Sequence, residues 1–176
     1  MQTIQQKIVE EILQEYKNKK HVVGVRVFGS VATNREREDS DLDITIVYDD
    51  QRDWELFKEE RYGIRIDLEI VTKDIWEIMT EKYPYLFYLE NSRIIFDRDG
   101  FLQSIFDKSR NYLETHPEVF EFWRTEYELM RKQKELGEKP DNFIDVCDKA
   151  EIRFSSHHTV KRNVLTPEFF HRHKKS

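Results

Sequence analysis

Cysteine occurs once in this chain, at Cys147. A lone thiol excludes an internal disulfide framework and any zinc site built on several thiolates, and it fits a reducing compartment. Glycine is scarce as well, with Gly24, Gly29, Gly63, Gly100 and Gly137 the only five. Their spacing contains neither the dinucleotide fingerprint G-x-G-x-x-G nor the hydrolase elbow G-x-S-x-G. Gly24 and Gly29 have the separation found in a P-loop, but Ser30-Val31 follows where a lysine and a hydroxyl must reach phosphate and magnesium, which rejects that motif. No H-E-x-x-H is present; His157-His158 and His171-x-His173 stand late in a polar stretch and read as surface histidines rather than ligands. No apolar run approaches the ~20 residues that span a bilayer. The opening, Met1-Gln2-Thr3-Ile4-Gln5-Gln6-Lys7, lacks the apolar centre of a secretion signal. The expectation is a cytoplasmic protein with no membrane partner.

What is present is enough for one domain with an appendage. Hydrophobic residues make up 38% of the 176, sufficient for a core, while charged residues reach 36%, above the usual ~25%. The net charge is -6, yet residues 161–176 carry Lys161, Arg162, Arg172, Lys174 and Lys175 against Glu168 alone, so the body is more acidic than the total suggests. An acidic body argues against a standing nucleic-acid groove, whose affinity comes largely from neutralising phosphates. The basic tail reads as a solvated end.

Along the chain, Ile4, Ile8, Ile12, Leu13 and Tyr16 share a helical face. Residues 22–28 and 42–48 are short, β-branched and strand-like, and 64–71, Ile-Arg-Ile-Asp-Leu-Glu-Ile-Val, alternates without a break. Residues 51–60 read as a short helix, 73–91 as one or two helices broken near Pro84, and 93–97 as a brief strand. Helices are expected at about 101–114, 118–136 and 141–156. Val119, Trp123, Tyr127 and Met130 recur at helical spacing as a core stripe, and Lys134 to Asp141, with Gly137 and Pro140, marks a turn. The layout is an α/β front half, residues 1–100, followed by a helical extension, 101–176, with no internal repeat.

Three carboxylates are out of place in this pattern, since aspartate is depleted in strands and a buried carboxylate is costly. Asp41 and Asp43 flank Leu42 and leave the chain on one face, about 7 Å apart at ~3.4 Å per residue. In the third strand the apolar set is Ile64, Ile66, Leu68 and Ile70, leaving Arg65, Asp67 and Glu69 on the opposite face. If these strands are neighbours, Asp67 stands beside Asp41 and Asp43, and the repulsion among them calls for a positive partner. A divalent metal is one answer, because carboxylate oxygens favour hard ions such as magnesium. An ion-pair network with Arg26 and Arg65, which parity puts on the same face, is the other. Upstream, Phe28-Gly29-Ser30 ends the first strand where backbone can approach a ligand closely and a helix start can present free N–H groups to phosphate.

Val27-Phe28-Gly29-Ser30-Val31-Ala32, then Ser40-Asp41-Leu42-Asp43-Ile44, and after a turn Ile66-Asp67-Leu68, resemble the signature of the DNA polymerase beta-like nucleotidyltransferase superfamily, in its small prokaryotic branch. The resemblance covers about residues 4–100. It implies a nucleotidyltransferase fold of the α+β kind, a short mixed β-sheet with helices on one face and the site on the other. It further implies that Gly29 and Ser30 hold a triphosphate, that Asp41 and Asp43 bind two Mg2+ ions (Mn2+ as substitute), and that Asp67 contacts a metal and serves as general base. Glu69, on the same face, is the alternative third carboxylate. Val31 and Asn34 depart from the arginine and glycine that often occupy that loop in relatives.

The activity this implies is transfer of a nucleoside monophosphate from a nucleoside triphosphate, ATP the expected donor, to an acceptor hydroxyl, with pyrophosphate released. A small molecule or a protein is the expected acceptor, since the chain is short and acidic for a processive polymerase. The alternative is a minimal nucleotidyltransferase acting as the antitoxin-like binding partner of a helical toxin protein.

Overall fold

The computed structural model describes residues 2–82, 92–139, 146 and 149. Helix α1, Ile4–Tyr16, begins in a capping box: the Thr3 hydroxyl accepts from the Gln6 N–H and the Gln6 side chain accepts from the Thr3 N–H, satisfying two of the N–H groups a helix start leaves open. Strand β1 is Val22–Phe28, followed by a single helical turn, α2, at Gly29–Ala32, and by β2 at Leu42–Tyr48. Then come β3 (Glu55–Arg61), β4 (Ile64–Thr72), α3 (Lys73–Lys82), β5 (Ser92–Asp97), α4 (Phe101–Thr115) and α5 (Pro117–Glu135).

The five strands form one mixed sheet in the order β3-β4-β2-β1-β5. Only β2 and β4 run parallel; the other three pairings are antiparallel. Helix α1 covers one face, where Ile8, Val9 and Ile12 close over Val25, Val27, Ile44, Ile46, Ile66 and Leu68. The opposite face is graded along the strands. From one end to the other β2 presents Asp43, Thr45 and Val47 while β4 presents Asp67, Glu69 and Val71, and the apolar end is roofed by Trp76 of α3 and Leu102, Ile105 and Phe106 of α4. A second core therefore sits beside the carboxylates on their own face. Gly24 permits this close roof, because a Cβ there would lie 2.6 Å from Leu102 Cδ1.

The expected helix at 51–60 is a strand instead. Residues Glu55–Arg61 pair with β4 along their whole length and turn back through Tyr62 (φ 54°) and Gly63 (φ 79°). Two successive positive φ values make the primed two-residue hairpin turn whose twist matches antiparallel strands. The glutamates and lysine of this segment suit a helix by propensity, but β3 lies at the sheet edge with much of its surface in water, where polar residues are tolerated and tertiary pairing overrides propensity. The stripe on α5 is core only at its start: Val119 and Trp123 are buried together with Phe122, whereas Tyr127 is exposed. Pro84 and the segment expected to be helical at 141–156, Val146 and Lys149 apart, lie outside the described residues, as do the late histidine pairs and the basic tail. Among the described residues no helix is long and apolar enough to cross a membrane.

Candidate active site

The site is built where β1 and β2 meet the mouth of the sheet. Phe28 ends β1, and Gly29 turns the chain at φ 72° into α2, a backbone conformation that side-chain-bearing residues adopt at a cost. A Cβ on Gly29 would stand 3.0 Å from Asp43 Oδ2, so the absence of a side chain is what lets this turn lie against the carboxylate. The turn is locked from below, as the Ser30 carbonyl accepts from the Arg35 N–H at 2.9 Å and from the Thr33 hydroxyl at 3.1 Å.

Register decides which acidic groups face one another. Phe28 pairs with Asp43, Asp43 with Asp67, and Asp67 with Lys58, in a single row across four strands. Asp43 is partly buried and its pKa is pushed up to about 6, first by burial and then by Asp41 and Asp67, with Arg65 and Lys134 of α5 pulling it back. The two neighbouring charges disfavour the ionised form for the same Coulombic reason that burial does. Asp67 Oδ1 is buried without a hydrogen-bond partner among the described residues. A buried carboxylate oxygen left in that state is costly unless something positive occupies the space before it.

Asp41 lies just before β2, two residues from the row, and its carboxylate is engaged elsewhere. Its Oδ2 accepts from Arg65 in an ion pair that stays largely exposed. Accordingly, no three Asp, Glu, His or Cys side chains among the described residues are gathered as a set able to hold a metal. Of the sequence candidates, the structure brings Gly29, Asp43 and Asp67 together and leaves Asp41 beside them on Arg65.

Glu69, one pair farther along the face, is engaged elsewhere. Its carboxylate accepts from the Thr45 hydroxyl at 2.7 Å and from Trp54 Nε1 at 2.8 Å. Both arginines placed on this face by parity are there. Arg26 is buried between the rings of Phe28 and Trp76, at 4.8 and 4.6 Å, and donates to Ser92 Oγ at 3.3 Å. Desolvation lowers its pKa to about 10, with Glu69, Tyr127 and Asp43 opposing the shift. Lys58 and Trp54 are missed by the sequence pattern because 51–60 reads as a helix; the Tyr62-Gly63 turn is the signal that would place Lys58 on a strand, with Trp54 just before it.

The two loop departures have structural reasons. Val31 is fully buried against the α1 face, so it contributes packing where an arginine would point outward. Asn34 holds φ 54°, the left-handed region that asparagine tolerates best after glycine, and its Oδ1 accepts from Arg93 at 3.3 Å.

The sequence model of the polymerase beta nucleotidyltransferase domain matches residues 10–100, just over half of the chain. The chain belongs to the polymerase beta nucleotidyltransferase family. Gly29, Ser30, Asp41, Asp43 and Asp67 all fall inside the matched segment. A nucleotidyltransferase-like protein from Exiguobacterium sibiricum 255-15 is among the similar solved structures, at 13% identity and a TM-score of 0.48 over 92% of this chain and 67% of that one. No curated protein sequence matches. As a family member the protein carries a nucleotidyltransferase domain on a mixed sheet with helices, followed by further helices.

Proposed function

We propose that this nucleotidyltransferase moves a nucleoside monophosphate, adenylate from ATP, to an acceptor hydroxyl and releases pyrophosphate. The acceptor oxygen bonds to the α-phosphorus, the bond from that phosphorus to the bridging oxygen breaks, and the pyrophosphate leaves with the electron pair. Asp67 receives the hydroxyl proton. The observation that carries this reading is the pairing of Asp43 with Asp67 directly beneath the Gly29 turn.

The residues fit divalent cations. The donors are all carboxylate oxygens, one of them, on Asp67, buried with no hydrogen-bond partner among the described residues, and burial together with the charges of Asp41 and Asp67 makes the ionised form of Asp43 costly. Asp43 and Asp67 would hold Mg2+ or Mn2+, with Asp41 joining on release from Arg65, and two such ions would neutralise the triphosphate and favour the ionised acceptor oxygen. Gly29 and Ser30 seat the triphosphate through backbone N–H groups and the Ser30 hydroxyl. Lys134, whose charge is felt at Asp43, adds a cation from the helical side. In this scheme residues 1–100 form the catalytic core, and the helical extension, 101–176, offers aromatic surface for a small-molecule or protein acceptor.

Thermal melting with Mg2+ or Mn2+ plus each nucleoside triphosphate tests the reading. Ligand at ~100 times its dissociation constant adds about 2.7 kcal/mol of stability. The expected outcome is a shift that needs both metal and triphosphate and vanishes in the Asp41→Asn/Asp43→Asn double variant. No shift, with a helical protein copurifying in stoichiometric amount, would favour the partner-holding role instead.

A further inference from the structure

Gln5 is the anomaly of α1. It is 1% exposed in a helix whose other buried residues are Ile8, Val9 and Ile12, and a buried primary amide is unfavourable unless its N–H groups find acceptors. They find three. Gln5 Nε2 donates to the backbone carbonyls of Arg37 at 2.8 Å, Ser40 at 3.1 Å and Glu38 at 3.3 Å. All three belong to the loop that runs from the end of α2 to Asp41.

The same helix end holds the loop a second time, since Thr3 Oγ1 and Gln6 Nε2 both donate to Glu36 Oε1, at 3.1 and 3.2 Å. Within the loop, the Ser40 N–H donates to the Arg37 carbonyl at 3.1 Å and the Arg37 N–H donates to Ser40 Oγ at 2.9 Å. The segment Arg35-Glu36-Arg37-Glu38-Asp39-Ser40-Asp41 has no apolar side chain. Hydrophobic burial therefore cannot fix it, and polar clamps from α1 take that part. It starts at Arg35, whose N–H donates to the Ser30 carbonyl at 2.9 Å, and ends at Asp41.

We infer that Gln5 is a positioning residue for the candidate active site: by holding the carbonyls of Arg37, Glu38 and Ser40 it sets the path of the loop into Asp41. That path keeps Asp41 two residues from Asp43, where on release from Arg65 its carboxylate can share a cation. The inference rests on the nucleotidyl-transfer reading above. An amide suits the task because both its N–H groups donate toward carbonyls, whereas a carboxylate would present only acceptors and an apolar side chain would donate to none of them.

The test uses the full chain and follows the Mn2+ concentration giving half of the thermal stabilisation at fixed ATP. Gln5→Met keeps length and burial while removing both N–H donors. It is expected to raise that concentration about tenfold or more, the scale on which partners of metal-binding carboxylates act. Ile12→Val, a loss of packing on the same helix, is expected to leave it at the wild-type value. A Gln5→Met protein that melts lower but keeps the wild-type Mn2+ midpoint overturns the role, and so does an equal shift in Ile12→Val. If Gln5→Met does not fold, hydrogen exchange of the Gln5 side-chain amide in the wild type decides: slow exchange supports the clamp and fast exchange overturns it. A wild type that shows no Mn2+ and ATP shift at all overturns the nucleotidyl-transfer reading, and this role with it.

Discussion

Asp43 and Asp67 are register partners on the two parallel strands of the sheet, so two carboxylates share one pleat with the Gly29 turn against one of them. Neither neighbouring residue on the row, Phe28 or Lys58, is an acid. Burial and the neighbouring carboxylates together disfavour the ionised form of Asp43.

Asp43→Asn should stabilise the metal-free protein in a pH-dependent way. Because the folded pKa is raised from 3.8 to about 6, the folded state binds the proton more tightly than the unfolded one. The associated stability is fully present below about pH 4 and is lost as pH rises to about 6, a difference of at most about 3 kcal/mol. Asparagine imitates the protonated form at every pH. Urea melts in a chelator should show the two proteins converging at low pH and the variant ahead above pH 6; an unfolded variant would contradict the account.

Glu69→Gln and Asp67→Asn should behave in opposite ways. The glutamine loses one of the acceptors now facing Thr45 and Trp54, costing about 1–3 kcal/mol of stability, while metal-dependent triphosphate binding persists. Asp67→Asn should leave melting in chelator intact and abolish transfer of label from α-labelled ATP. Loss of transfer in Glu69→Gln with retention in Asp67→Asn would reassign the third carboxylate.

Gly29→Ala should impair both fold and site. The new Cβ meets Asp43 Oδ2 at 3.0 Å in a left-handed backbone, a conformation costing roughly 1–2 kcal/mol for an L residue. Calorimetry should report a lowered Tm, and titration a triphosphate affinity weakened beyond what the Tm change accounts for.

Gly24→Ala tests the roof rather than the site. Leu102 is fully buried, so a Cβ placed 2.6 Å from its Cδ1 forces its side chain or α4 to shift. Overpacking of this kind costs about 1–3 kcal/mol. A denaturation midpoint equal to wild type would show that α4 yields more easily than its packing indicates.

Much of this architecture was legible because it is local. The alternation in Ile64-Arg65-Ile66-Asp67-Leu68-Glu69-Ile70 predicts both a strand and the face of every side chain, and the structure gives β4 at Ile64–Thr72 with the isoleucines buried. The helix at 4–16 and the strands at 22–28 and 42–48 are equally regular. Residues 51–60 failed where local preference and tertiary environment disagree: Glu55, Lys58, Glu59 and Glu60 favour a helix, and the edge of an already formed sheet recruits them as β3. Gln5 was read only as part of a polar opening, since nothing in its neighbours tells that the loop ending in Asp41 will fold back over it.

The sequence by itself determined that Asp67 and Glu69 leave their strand on the face opposite Ile66 and Leu68, and that Asp43 leaves its own opposite Ile44 and Ile46, because side chains alternate with the pleat whatever the partner. Only the tertiary structure decided that β2 lies beside β4 in the register that sets Asp43 against Asp67, that Arg65 takes Asp41, and that Trp54 and Thr45 occupy Glu69. Parity is a property of one chain segment. Register and ion pairing are choices between segments far apart in sequence, settled by burying α1 against one face while the sheet closes its hydrogen bonds across the other strands.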